Sequence, residues 1–71
     1  MNESRQNISK NIRKYRLRAK MTQEKLAEKA GIDYKYIQRL EGKTPPNMQV
    51  NTLDKIAKSL NTTPDKLLLN S

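Results

Sequence analysis

Lys35, Gln38 and Arg39 stand at i, i+3 and i+4, two cations and an amide within little more than one helical turn. On a helix that spacing gathers the side chains toward one face. Their chemistry is hydrogen-bond donation, and the amide alone can also accept. The rest of the sequence offers little for catalysis. There is no His and no Cys, which removes imidazole acid–base work, thiolate nucleophiles, disulfides and the usual zinc ligands. The 7 Asp plus Glu have helix-cap, surface or ion-pair explanations. A chain of 71 residues buries only about 60–65% of the surface it exposes when unfolded, too little for a deep cleft and a lid. The composition argues against an enzyme, a metal centre and a bound cofactor.

Charge points to the partner. Lys plus Arg number 15, for a net charge of +8, and a basic excess of that size suits nucleic acid or an anionic membrane surface. Arg5, Lys10, Arg13, Lys14, Arg16, Arg18 and Lys20 crowd residues 1–20 against Glu3 alone. Apolar residues are interleaved among them at regular spacing, unlike a disordered basic tail. The apolar face of residues 8–20 carries no Trp or Phe anchor, so a membrane-surface helix is the weaker reading. No apolar run nears the roughly 18 residues of a membrane span. Met1 to Gln6 is polar and lacks a signal peptide's apolar centre. A cytoplasmic protein without membrane association is expected.

The periodicity then supplies the elements. Ile8, Ile12, Tyr15 and Ala19 recur as one face of a helix, with Asn7 or Ser4 as its cap. Residues 1–6 are expected to be mobile. Thr22 reads as the N-cap of a second helix, with Glu24 in the first turn, and Leu26, Ala27 and Ala30 form its buried stripe. Gly31 ends it, because glycine adopts positive φ without a Cβ clash. Asp33 caps a third helix from Tyr34 to Glu41, and Gly42 ends it. The paired prolines of Lys43 to Asn47 exclude helix there. Val50, Leu53, Ile56, Ala57 and Leu60 mark a fourth helix, closed by Asn61. Thr63-Pro64-Asp65 opens a fifth, completed by Leu67, Leu68 and Leu69. No segment alternates as a strand does. The expectation is all-α: five short helices in a single domain over residues 1–71.

The connection between helices two and three is the informative one. Gln23 to Gly42 is a 20-residue block. A small residue at Ala27 allows close crossing, Gly31 allows the sharp turn, and Ile32, Ile37 and Leu40 fill the angle between the helices. Helices joined this tightly cross steeply, as in a helix-turn-helix. A generic helical hairpin would share the Ala–Gly pair, but not all five positions together with two caps and a basic surface.

The run Arg16…Met21-Thr22-Gln23-Glu24-Lys25-Leu26-Ala27…Ala30-Gly31-Ile32…Ile37…Leu40-Glu41-Gly42-Lys43…Thr52-Leu53…Ile56-Ala57…Leu60 resembles the phage-repressor/Cro type of helix-turn-helix, often called the XRE family. The resemblance covers roughly residues 8–69. It implies a compact five-helix, repressor-like domain that binds double-stranded operator DNA as a two-fold dimer. The third helix would enter the major groove and the second would cross the backbone.

Helical geometry agrees with that role for the third helix. At about 100° per residue with Ile37 at 0°, the core direction lies near 330°, and Gln38, Lys35 and Arg39 point away from it at about 100°, 160° and 200°. Glu41 and Tyr36 fall on the flanks, at about 40° and 260°. Arg39 and Lys35 are suited to guanine O6 and N7. The resemblance puts the base-reading positions on Tyr34, Lys35 and Arg39, and Gln38 joins them by its orientation. Tyr34 departs from the small or amide residues common at its site. It touches a thymine methyl, donates to a phosphate, or packs only against protein.

The resemblance also implies that Gln23 grips a phosphate at the start of helix two, where backbone N–H groups favour an anion in any case. Lys43, with the backbone of Thr44 and Asn47, falls where further phosphate contacts are made; Lys43 equally suits the C-terminal end of helix three. Tyr36 and Arg13 complete the phosphate set, with simple solvation the alternative for Arg13. Arg16 and Glu41 match positions that form an ion pair between helices one and three.

Three side chains per half-site, each good pair worth about 1–3 kcal/mol, read too little sequence for one monomer to find its site in a genome. Two half-sites about one helical turn apart supply the rest, so a homodimer is expected at least on DNA. The Pro45-Pro46 loop, Met48 and Leu67 to Leu69 are candidate interface residues. Repression is the expected mode. Control would come from the protein's own concentration, a protein partner, or a regulatory domain outside this chain. A phage or mobile element, a restriction–modification system and a toxin–antitoxin pair are all compatible settings. The rival reading is a protein-interaction module of the same fold, such as an antitoxin-like adaptor with little DNA specificity.

Overall fold

The computed structural model describes the backbone of residues 3–69 and the side chains of residues 7–69. Five helices follow one another: α1 (Glu3–Arg18), α2 (Gln23–Ala30), α3 (Tyr34–Leu40), α4 (Val50–Ser59) and α5 (Pro64–Leu68). Among the described residues there is no strand. The mobility expected of residues 1–6 falls on a stretch whose side chains lie outside the described residues. Its backbone enters α1 at Glu3. Ser4 and Asn7 are therefore interior helix residues, and neither is the N-cap.

The other caps follow from local chemistry. Thr22 takes extended backbone angles, and its hydroxyl accepts from the Lys25 N–H at 3.0 Å. Asp33 Oδ1 accepts from the Lys35 N–H at 3.3 Å, and Thr63 Oγ1 from the Lys66 N–H at 3.4 Å. Each satisfies one of the N–H groups a helix start leaves open. α4 begins at Gln49 without a side-chain cap. Lys20 and Asn61 both adopt left-handed φ, 58° in each case. At the first, Met21 N–H returns to Arg16 O at 3.0 Å; at the second, Thr62 N–H returns to Ala57 O at 2.9 Å. Asn tolerates that conformation better than most residues, whereas Lys20 does so without such help.

Ile12, Leu26, Ile37, Leu40, Ile56 and Leu67 are the large side chains fully buried at the centre. Ala27, Ala30, Ala57, Leu53 and Leu60 complete the core, and Ile8, Tyr15, Met21, Ile32, Tyr36 and Met48 pack against its edge. α2 packs on α3 and α4, while α5 joins α4 to α1. Each fully buried Leu or Ile stabilises the fold by roughly 1.5–3 kcal/mol. Two residues of the expected apolar stripes do not reach this core. Ala19 lies past the end of α1 and is exposed. Val50 is the first residue of α4 and is 79% exposed. Of the three C-terminal leucines, Leu67 is buried while Leu68 and Leu69 face outward.

α1 carries buried polar side chains that periodicity does not announce: Ser9, Asn11 and Arg16. Asn11 Nδ2 donates to Leu67 O at 2.8 Å and to Leu69 O at 2.7 Å. A side chain of α1 thus satisfies carbonyls that α5, at its own end, cannot pair internally. Ser9 Oγ makes a longer contact with Gly42 O, at 3.5 Å.

Candidate nucleic-acid interface

The turn between α2 and α3 is three residues long, Gly31-Ile32-Asp33. Gly31 sits at φ 68°, ψ 37°, and its N–H reaches back to Ala27 and Glu28 carbonyls. Ile32 N–H bonds Ala27 O at 2.9 Å. This left-handed cap reverses the chain within one residue of the helix end. Asp33 then starts α3 at once, so the two helices are locked together and Ile37 and Leu40 are drawn into the core.

The opposite face of α3 is free. Tyr34, Lys35, Gln38 and Arg39 are all exposed, so the four base-contact candidates share the solvent side of one short helix. They are not four independent side chains. Gln38 Nε2 donates to the Tyr34 hydroxyl oxygen at 3.1 Å, one helical turn earlier. Their i, i+4 spacing was the available sequence signal for this pairing. Tyr36 is half-buried against the core, and its hydroxyl points to Asn47 O at 3.4 Å. That contact ties α3 to the 43–49 loop, where Pro45 is buried and Lys43, Thr44 and Asn47 are exposed. Arg13 is exposed on α1.

Behind this face lies a hydrogen-bonded ion pair. Arg16 Nε donates to Glu41 Oε2 at 2.7 Å and Arg16 Nη2 to Glu41 Oε1 at 2.9 Å. The fork is the bidentate arrangement a guanidinium and a carboxylate favour. The two side chains are only 10% and 4% exposed. A third guanidinium nitrogen, Nη1, donates to Met21 O at 2.8 Å. The hydrogen bond to Glu41 raises the Arg16 pKa above its ordinary value, against an opposing effect of burial and with help from the Glu41 charge.

Gln23 joins the same network, its Nε2 donating to Glu41 Oε1 at 3.1 Å. The side chain expected on a phosphate is thus held partly inward. One amide N–H and the helix-start backbone N–H groups remain for an anion. The sequence pattern pairs Arg16 with Glu41 only by resemblance, and it carries no signal for the Gln23 or Met21 contacts. Among the described residues no group of three or more acidic, His or Cys side chains is placed to hold a metal. No helix there is long and apolar enough to cross a membrane.

Comparison with known proteins gives one consistent outcome. Residues 11–68 match the family model of the Cro/C1-type HTH DNA-binding domain. Control protein C.SmaI of Serratia marcescens is 41% identical over 61 residues, 86% of this chain and 71% of that protein. The hypothetical transcription factor NHTF from Neisseria superposes with a TM-score of 0.88 at 28% identity, over 94% of this chain and 76% of that one. The restriction-modification controller protein C.AhdI from Aeromonas hydrophila superposes with a TM-score of 0.82 at 25% identity, covering 89% and 94% of the two chains. For the controller C.Esp1396I the TM-score is also 0.82, at 33% identity over 89% of this chain and 80% of that one.

Proposed function

This chain belongs to the Cro/C1-type helix-turn-helix DNA-binding family, a family of transcription regulators, and we propose that it is a sequence-specific operator binder of the restriction–modification controller kind. It acts as a homodimer on an inverted repeat and represses from there. The observation that carries this reading is the outward face of α3, where Lys35, Gln38 and Arg39 are exposed together while Ile37 and Leu40 anchor the helix. Such a face presents donors for guanine and an amide for adenine at the width of a major groove. The likeness to three proteins named as controllers supports the setting.

Affinity comes largely from cations neutralising phosphates, with counterion release making it fall steeply with salt. Arg13, Gln23, Tyr36, Lys43, Thr44 and Asn47 supply the phosphate contacts on either side of α3. Lys35, Gln38 and Arg39 read bases, with Tyr34 beside them on the same face. Each half-site is too short to specify a genomic position by itself, so two copies are needed. Leu68 and Leu69, exposed at the end of α5, are the apolar residues of the earlier interface candidates that remain free for a second copy. Leu67, Pro45 and Met48 are taken up by the fold itself.

Selection of bound sequences from random duplex DNA tests this at about 0.15 M salt, where only short-range charge contacts survive screening. An enriched inverted repeat is the expected result. Binding without any enriched sequence reduces the protein to a charge-driven DNA coat. No binding by folded protein overturns the regulator reading in favour of a protein partner.

A further inference from the structure

We propose that Gln38 reads an adenine and that Tyr34 is the positioning residue that holds its amide for that task; the inference rests on α3 being the DNA-reading element. Lys35 and Arg39 carry donors only. Adenine presents in the major groove an acceptor at N7 and a donor at the N6 amine, whereas guanine presents two acceptors. A side chain that reads adenine must therefore both donate and accept. Among Lys35, Gln38 and Arg39 only Gln38 does, and the Tyr34 hydroxyl, which has both capacities, is bonded to it.

Both Glu41 oxygens hold Arg16, and Asp33 Oδ1 caps the Lys35 N–H at the start of the helix. On the outward face itself the acceptors are the Gln38 carbonyl and the Tyr34 hydroxyl oxygen, and the latter already receives the Gln38 amide.

An isolated glutamine on a surface turns freely, and ordering it on binding offsets much of what its contacts contribute. Here the Tyr34 hydroxyl oxygen, 3.1 Å from Gln38 Nε2, accepts one amide hydrogen. That bond restrains the amide, and in this orientation the second N–H and Oε1 are left for a partner. The pair matches N7 and N6 of adenine. Against guanine, Oε1 would meet the O6 acceptor and repel it. Tyr34 therefore acts through Gln38, and its ring at the helix start is the support.

Tyr34→Phe keeps the ring and removes the acceptor, so it isolates the bond. Selection from random duplex DNA is run at about 0.15 M salt on wild type, Tyr34→Phe, Gln38→Ala and Gln38→Glu, with helicity and Tm measured for each. Wild type is expected to enrich one A·T column per half-site, favoured about tenfold or more over G·C. Gln38→Ala flattens that column and spares the others. Tyr34→Phe lowers the preference at the same column by about threefold or more, with Tm and the remaining columns unchanged. Gln38→Glu, which accepts but cannot donate, moves the preference to cytosine. An A·T column untouched by Tyr34→Phe, or one that survives Gln38→Ala or Gln38→Glu, overturns the inference and leaves operator binding standing. Folded wild type that enriches no sequence overturns both.

Discussion

Gln23 Nε2 lies 3.1 Å from Glu41 Oε1, so the first residue of α2 is hydrogen-bonded to the residue that ends α3. The same carboxylate oxygen receives Arg16 Nη2 from α1 at 2.9 Å. One buried carboxylate thereby joins α1, α2 and the end of α3.

Arg16→Ala leaves the Glu41 charge buried without its partner. Removing one member of a buried pair costs about 3–5 kcal/mol, a large share of what a small domain has in total. Urea or thermal unfolding is expected to show a large loss of stability, with DNA binding lost as a consequence. Arg16→Lys should recover only part, since an ammonium cannot reproduce the fork. An unchanged Tm for Arg16→Ala would mean the pair contributes nothing to the fold.

Asn11 is 2% exposed and donates to two carbonyls at the end of α5. Asn11→Ala should cost about 1–3 kcal/mol, the penalty of leaving buried acceptors unpaired. Asn11→Asp should be worse at pH 7, because a carboxylate would face two carbonyl oxygens with no proton to offer. Burial and those oxygens favour the protonated acid in the folded state, raising its pKa above the unfolded value. The added penalty is therefore absent in acid and grows as pH rises from about 3.9, the ordinary value of an aspartate, up to the raised folded value. Urea midpoints across pH for the two variants decide it; parallel curves count against the buried contact.

The two glycines should respond differently to alanine. Gly31 has φ +68° and nothing within 4 Å of an added Cβ, so Gly31→Ala pays only for a left-handed alanine. That is about 1–2 kcal/mol. Gly42 lies outside the left-handed region, and a Cβ there meets Arg39 O at 3.4 Å, nearly ordinary contact. Gly42→Ala should stay within about 0.5 kcal/mol of wild type. Comparable losses at both positions in chemical denaturation would contradict this division.

Lys35, Arg39 and Lys43 are exposed, so their alanine variants should keep wild-type Tm. Arg39→Ala should cost about 1–3 kcal/mol of binding and relax the preference at one base pair. Lys43→Ala should weaken all sequences alike and reduce the slope of log affinity against log salt by about one. Binding isotherms over a salt series separate the two roles. A uniform loss for Arg39→Ala would move that side chain to the phosphate set.

Much of the fold was legible because it is written in neighbouring residues. Thr22, Asp33 and Thr63 bond N–H groups two or three positions ahead, and Gly31 relieves a backbone clash of its own; neither effect needs a distant partner. The apolar periods of α2 and α4 likewise place Leu26, Ile56 and Ala57 without reference to topology. Periodicity failed at element ends. Val50 keeps the phase of the α4 stripe, yet it stands before the packed part of the helix; Ala19 follows the last turn of α1.

The candidate site divides along the same line. The orientation of Lys35, Gln38 and Arg39 away from Ile37 and Leu40 follows from helical geometry, so sequence alone determined which face of α3 is free. Tertiary structure decided what stands behind that face. Arg16 and Glu41 are 25 positions apart, and Asn11 and Leu67 are 56 apart. A hydrogen bond spanning such a separation depends on how whole helices pack, and composition at either end does not encode it. Composition marks Arg16 as one more basic residue of α1, and only the resemblance paired it with Glu41 before the fold buried the two together; Asn11 reads as a polar interruption until α5 arrives over it.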